Sequence, residues 1–135
     1  MKINKYLQFT ALAAILTLAA LPCNGKVYRN VKCQSEGISL IADSIDCRSD
    51  LTRLYGRLAG MPHTAQRIDT LTIKIDNRAY GSTDIDGIDL KRWFQWEDEG
   101  EIPVEIDFPR LRLGKSATVE AVSPRGNCRW TLIIE

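Results

Sequence analysis

The chain has 135 residues, with 18 lysines and arginines against 17 aspartates and glutamates, and its formal charge is +1. This length indicates one domain, and a hydrophobic content of 44% is typical of a folded chain and not of a disordered one. The balanced charge excludes a strongly basic nucleic-acid-binding protein, so we expect no nucleic-acid partner. The single histidine excludes a histidine-rich metal site.

The N-terminal segment has the pattern of a secretory signal peptide. Two lysines precede an uncharged, mostly apolar stretch from Tyr6 to Pro22, which is short for a membrane span of about 20 residues. Cys23 and Gly25 place small residues at positions −3 and −1 of a cleavage site before Lys26. A retained N-terminal anchor is the alternative. The pattern predicts a signal peptide over residues 1–25.

Lipidation of Cys23 is a competing interpretation of this segment, because an acyl chain would anchor the protein to a bacterial membrane. A lipidation motif has a small residue before its cysteine, and here Pro22 stands there, so lipidation is the weaker hypothesis. Both interpretations predict export, to the periplasm, the outer-membrane surface or the medium. Cleavage leaves residues 26–135 as the mature chain, with a charge near −1 and no predicted transmembrane span.

Apolar residues of the mature chain recur mainly at every second position, which predicts β-strands. The first two predicted strands, Val27–Cys33 and Ile38–Cys47, are rich in apolar and β-branched residues. Alternation continues through most of the remaining chain. The other predicted strands carry apolar positions at Leu54 and Leu58; at Leu71, Ile73 and Ile75; at Ile102, Val104, Ile106 and Phe108; within Ala117–Val122; and at Trp130, Leu132 and Ile134.

Segments rich in glycine, proline and asparagine separate these runs and predict turns. About seven strands at intervals of about 8–12 residues predict an all-β fold, a single antiparallel β-sandwich of the immunoglobulin-like kind. One helical turn is predicted, at Ile88–Phe94. The last strand, Trp130–Glu135, is expected to pair inside a sheet. The domain is therefore predicted to extend over residues 26–135.

Cys33, Cys47 and Cys128 remain after the predicted cleavage and could form one disulfide in an oxidising compartment. A Cys33–Cys47 bridge would join two consecutive strands, whereas Cys47–Cys128 would join an early strand to the last one. The spacing does not decide between these pairings. The third interpretation is that all three are small buried hydrophobic residues.

The densest aromatic segment is Trp93–Trp96. In a strand, Trp93 and Gln95 would face one way and Phe94 and Trp96 the other. One pair could then pack in the core while the other forms an exposed platform for a sugar or a peptide. Trp93 and Trp96 are therefore candidate binding residues, although burial of both faces is the commoner outcome for aromatic side chains.

Arg53, Tyr55 and Arg57 lie on one face of a predicted strand and are further binding candidates. A guanidinium group beside a phenol can bind a carboxylate or a phosphate. The simpler interpretation pairs both arginines with acidic residues across the sheet. Gly56, between them, predicts a bulge or a close approach of another backbone segment.

Asp84, Asp86 and Asp89, which we call the acidic turn, are weak candidates for a calcium site. In an EF-hand loop the glycine follows the third acidic position, whereas Gly87 follows the second of these aspartates directly. The register is therefore wrong for that loop. We expect a solvated turn, with no metal and no other cofactor.

The sequence contains no catalytic motif. His63 is isolated, no serine lies in a nucleophile elbow, and no glycine-rich nucleotide loop occurs. A signal peptide followed by one small sandwich resembles the architecture of short exported proteins of bacterial envelopes.

We therefore expect an exported, non-enzymatic protein that binds a protein or glycan at the cell envelope or outside the cell. The alternative is an inhibitor or accessory protein of an exported enzyme such as a protease. It would act through an exposed loop such as Gly60–Gln66.

Overall fold

The computed structural model describes residues 25–134, all of whose regular elements are β-strands. The predicted signal peptide up to residue 24, including the question of Cys23, lies outside the described residues. The strands are β1 Lys26–Tyr28, β2 Val31–Glu36, β3 Ser39–Cys47, β4 Leu51–Ala59, β5 Ala65–Gln66, β6 Thr70–Ile75, β7 Arg78–Gly81, β8 Asp84–Asp86, β9 Phe94–Gln95, β10 Glu101–Pro109, β11 Ser116–Val122 and β12 Cys128–Ile134.

The strands form three antiparallel sheets. The first sheet has the order β1-β3-β4-β10-β8, the second has the order β2-β12-β11-β6-β7, and β5 pairs with β9 in a separate ribbon. Between residues 25 and 134, no helix has the length and apolar character needed to cross a bilayer.

The predicted all-β, antiparallel class is confirmed, but the strand count of about seven is wrong. The extra strands include β5, β7, β8 and β9, which have two to four residues each and are too short to show a periodic pattern. The predicted helical turn at Ile88–Phe94 is also wrong, because this segment forms turns that lead into β9. The immunoglobulin-like single sandwich stays a prediction.

Both five-stranded sheets contribute side chains to one hydrophobic core. Leu54 and Leu58 of β4 and Ile106 of β10 are buried from the first sheet, and Val119 and Leu132 are buried from the second. Each such side chain contributes about 1.5–3 kcal/mol on burial. The period-two prediction is therefore confirmed at the positions that form the centre of the fold.

Trp130 of β12 connects the two sheets at the core. Its ring is fully buried, and its Nε1–H donates a hydrogen bond to the carbonyl oxygen of Ile38 at 2.6 Å, just before β3. The buried indole N–H therefore has the partner that burial requires. The last strand is paired on both sides, with β11 and β2, as the sequence predicted for it.

The chain passes from the second sheet to the first directly after β7. The N–H of Ser82 donates to the carbonyl of Leu71 in β6, and the N–H of Thr83 donates to the carbonyl of Asp107 in β10. Two consecutive residues are thus bonded to different sheets. This crossing positions β8 at the edge of the first sheet, where it carries two residues of the acidic turn.

No disulfide joins any two of the three described cysteines, so neither the Cys33–Cys47 nor the Cys47–Cys128 bridge is formed. Cys33 lies on β2 in the second sheet and Cys47 ends β3 in the first. Cys47 and Cys128 are buried in the core, and the Cys128 sulfur accepts a hydrogen bond from the N–H of Ile38 at 3.2 Å. The interpretation as small core residues fits these two positions.

Candidate functional site

Arg53 makes a two-pronged ion pair across the first sheet. It lies opposite Asp107 of β10, and its Nε and Nη2 donate to the two carboxylate oxygens at 2.7 and 3.0 Å. The hydrogen bonds that Arg53 donates to Asp107, and then the one that it makes with Tyr55, raise the pKa of Arg53 above its usual value. Because Asp107 is only 7% exposed, this pair is part of the packed structure and Arg53 is not available to bind a ligand.

Arg57 is also paired within the protein. Its guanidinium nitrogens lie 3.1 Å from Glu101 and 3.5 Å from Asp43. The simpler sequence interpretation, in which both arginines pair with acidic residues across the sheet, is therefore confirmed. The close approach of another backbone segment predicted at Gly56 is confirmed, because a Cβ atom there would lie 2.7 Å from the carbonyl oxygen of Ile41. The bulge itself lies in the neighbouring strand β3, between Ala42 and Ser44.

The outer face of the first sheet is acidic. Asp86 of β8 lies directly opposite Glu105 of β10, and Asp84 lies directly opposite Asp107. Like charges in such positions destabilise a sheet and attract cations. The acidic face has seven carboxylates around two arginines: Asp43, Asp46, Asp84, Asp86, Glu101, Glu105 and Asp107, with Arg53 and Arg57.

Trp93 and Trp96, the two aromatic candidates, lie in different environments. Trp93 is 51% exposed, and the guanidinium of Arg125 lies 5.3 Å from the centre of its ring. Trp96 is 1% exposed and packs edge-on against Phe94, with ring centres 5.3 Å apart. Trp96 is therefore a core residue and not a binding residue. Trp93 is exposed, as the alternation of side chains between the two faces allowed for one of the two tryptophans.

Two adjoining grooves are lined by most of the other candidates. The tryptophan groove has a volume of about 560 Å³ and the tyrosine groove about 300 Å³, and Asp86 lines both. The first is lined by Ile85, Asp86, Gly87, Ile88, Asp89, Arg92, Trp93 and Phe94, and the second by Asp43, Tyr55, Gly56, Arg57, Asp86, Pro103, Val104 and Glu105.

The grooves separate the sequence candidates into two groups. Trp93, Asp86 and Asp89 share the tryptophan groove, while Tyr55 and Arg57 line the tyrosine groove. Arg53 and Asp84 line neither. The two grooves meet at Asp86, on the edge strand β8 of the first sheet.

The acidic turn is held by local contacts. The N–H of Gly87 donates to Asp86 Oδ1 at 3.1 Å, and Asp89 lies 3.8 Å from Arg92. Among residues 25–134, no three carboxylate, imidazole or thiol groups are arranged to hold a metal ion. The expectation that this turn is structural stays a prediction.

Arg92 and Arg125 were not identified from the sequence, yet both lie at the site. Arg125 belongs to the turn that precedes β12 and reaches Trp93 only through the tertiary fold. Its neighbours in the chain carry no pattern that could reveal this contact. Arg92 lines the tryptophan groove one position before Trp93. Nothing in the sequence distinguishes it from an ordinary surface arginine.

Comparison of the chain with models of protein families, with curated proteins and with solved structures finds no match in any of the three. The geometry of the described residues is therefore the basis for assigning a function.

Proposed function

We propose that this chain is an exported, non-enzymatic protein that binds a protein or a glycan at the bacterial cell envelope or outside the cell. Its small antiparallel domain, of immunoglobulin-like sandwich type, would serve as the scaffold. One observation carries the proposal: half of the surface of Trp93 is exposed beside a groove of about 560 Å³.

The groove has the volume of a small-ligand site, and one exposed aromatic ring lies in its lining. Pockets that bind small ligands typically have volumes of about 300–1,000 Å³ and combine aromatic contact area with a few polar groups. Trp93 provides a broad apolar surface, and Asp86 and Asp89 provide acceptors for hydroxyl or ammonium groups. A short stretch of glycan or peptide could therefore contact the ring and donate hydrogen bonds to the carboxylates.

The test is binding of panels of oligosaccharides and short peptides to the protein and to Trp93→Ala. We expect the substitution to weaken binding by about tenfold or more, the effect typical of an interface residue that dominates affinity. Val27→Ala is a matched control, because Val27 is 42% exposed on β1, at the opposite edge of the first sheet from β8. Equal affinity of the two variants would contradict the proposal.

Export has its own test. N-terminal sequencing of the protein recovered outside the cytoplasm should find a chain that begins within a few residues of Lys26. An intact first methionine would refute the proposed signal peptide, and an acylated Cys23 would replace it with lipid anchoring.

The second candidate function, inhibition or assistance of an exported enzyme such as a protease, is favoured by a specific observation. Met61 is 72% exposed on the connection between β4 and β5. This connection lies within the segment Gly60–Gln66 that the sequence indicated as a candidate inhibitory loop.

A further inference from the structure

The segment Met61–Thr64 forms a tight β-turn. The N–H and the hydroxyl of Thr64 both donate to the carbonyl oxygen of Met61, at 3.3 and 2.7 Å. Pro62 occupies the second position, and His63 occupies the third with a φ of 65°. This is the pattern of a type II turn, whose third position normally requires glycine or asparagine. We call this segment the methionine turn.

The buried Trp96 is hydrogen-bonded through its backbone to the methionine turn. The N–H of His63 donates to the carbonyl of Trp96 at 2.7 Å, and the N–H of Trp96 donates to the carbonyl of Thr64 at 2.9 Å. Before the turn, the N–H of Gly60 donates to Gly100 at 2.9 Å. Since these contacts restrain the turn in the free protein, little conformational freedom remains to be lost on binding.

The surface around the turn has the composition of a protein interface. Met61 is the most exposed of the large apolar side chains among the described residues. A groove of about 240 Å³ beside it is lined by Gln66 and Arg125, and Arg125 also stacks on Trp93. Methionine, tryptophan and arginine are enriched where proteins bind each other, and tryptophan and arginine dominate the binding energy there.

Gln66 provides independent evidence that a hydrogen-bond donor is missing near the methionine turn. Its Oε1 atom is buried and has no hydrogen-bond partner among the described residues. A buried acceptor without a donor is unfavourable. Gln66 lines the same groove as Met61, so this unsatisfied acceptor lies beside the methionine turn.

We propose that the methionine turn inhibits an endopeptidase whose specificity pocket accepts large apolar side chains. This inference rests on the second of the two functions proposed above and names its partner. Met61 enters the pocket, and the turn blocks the cleft without forming or breaking a bond. The carbonyl of Met61 is followed by the tertiary amide of Pro62, a bond that most endopeptidases do not cleave. Because the chain reverses after Met61, it also cannot extend through the cleft as a substrate does.

The experiment uses the full chain and two purified endopeptidases, one that prefers large apolar residues and one that prefers lysine. We expect the protein to inhibit the first enzyme and to remain intact. Met61→Ala should weaken inhibition by about 30-fold, as for a dominant interface residue. Met61→Lys should transfer inhibition to the lysine-preferring enzyme, while the control Val27→Ala should behave as the parent chain does.

Three results would overturn the inference: inhibition of neither enzyme, inhibition that Met61→Ala leaves unchanged, or rapid cleavage after Met61. Thermal melts of the variants establish that each is folded, and Met61 is exposed enough for both substitutions to be tolerated. Ligand binding at Trp93 is measured separately with the oligosaccharide and peptide panels. The first proposed function can therefore fail or stand independently of this one.

Discussion

Replacing Gly60 with alanine should disrupt the contact on which the methionine turn rests. A Cβ atom at this position would lie 2.1 Å from Cε2, 2.3 Å from Nε1 and 2.6 Å from Cζ2 of Trp96. All three distances are far below a normal carbon contact of about 3.5–4 Å. Either the indole or the backbone of the β4–β5 connection must therefore move by an ångström or more.

The indole has little room to move. Trp96 is 1% exposed, packs edge-on against Phe94, and is bonded through its backbone to both ends of the His63–Thr64 segment. Forcing extra atoms into a packed site typically costs about 1–3 kcal/mol, and the rigidity of this contact places Gly60→Ala near the upper value. For a domain of about 100 residues, a loss of about 3 kcal/mol lowers Tm by roughly 10–20 °C.

The assay is chemical and thermal unfolding followed by tryptophan fluorescence, with Gly114→Ala as the matched control. A Cβ atom added at Gly114 would meet no heavy atom within 4 Å, and the φ of this residue is not positive. Its replacement should be neutral or should stabilise the fold by up to about 1 kcal/mol, since alanine restricts the unfolded chain. If the two variants unfold at the same temperature, the close packing of Trp96 beneath Gly60 is not as described.

Four further predictions concern the core, the ion pairs, the thiol and the acidic turn. Asp107→Ala should destabilise the fold by about 2–4 kcal/mol in a urea titration, because it leaves Arg53 without its buried partner. Glu101→Ala breaks an exposed pair and should cost less than about 1 kcal/mol in the same titration. Trp130→Phe should cost about 1–3 kcal/mol, since it leaves a buried carbonyl without a donor; an unchanged midpoint would contradict this. Burial raises the pKa of the Cys33 thiol. Alkylation of Cys33 at pH 8, measured by mass spectrometry, should therefore be slower in the folded protein than in the urea-unfolded chain, and equal rates would refute this. Millimolar calcium and chelator should give coincident melts, and a drop with chelator that Asp86→Ala abolishes would instead identify the acidic turn as a cation site.

The alternation of apolar residues was sufficient to predict the class of fold and most of its core. Leu71 and Ile73, and likewise Val104 and Ile106, are buried as predicted, because a period of two assigns each side chain to a face of its strand. The same pattern does not identify partner strands. The pairing of β2 with β12, and the sheet change after β7, depend on contacts between distant segments.

The site was predicted only in part for the same reason. Alternation placed Trp93 and Trp96 on opposite faces, but it did not indicate which of the two faces would be exposed. Asp107 occupies a position of the alternating strand that should face water, but Arg53 across the sheet covers it. Arg125 contacts Trp93 from a turn that is distant in sequence. A local sequence pattern shows which residues share a face of a strand. It does not show which other segments of the fold pack against that face.

The position of β12 between β2 and β11 also determines when the core of the domain can form. The hydrogen bonds that Ile38 makes with Trp130 and Cys128 join residues 92 and 90 positions apart. Closing such long loops is slow, and all-β domains rich in distant pairings typically fold in milliseconds to seconds. Until β12 emerges during synthesis, β2 has no partner and the core lacks its central tryptophan. The domain can therefore complete its core only after β12 has been synthesised.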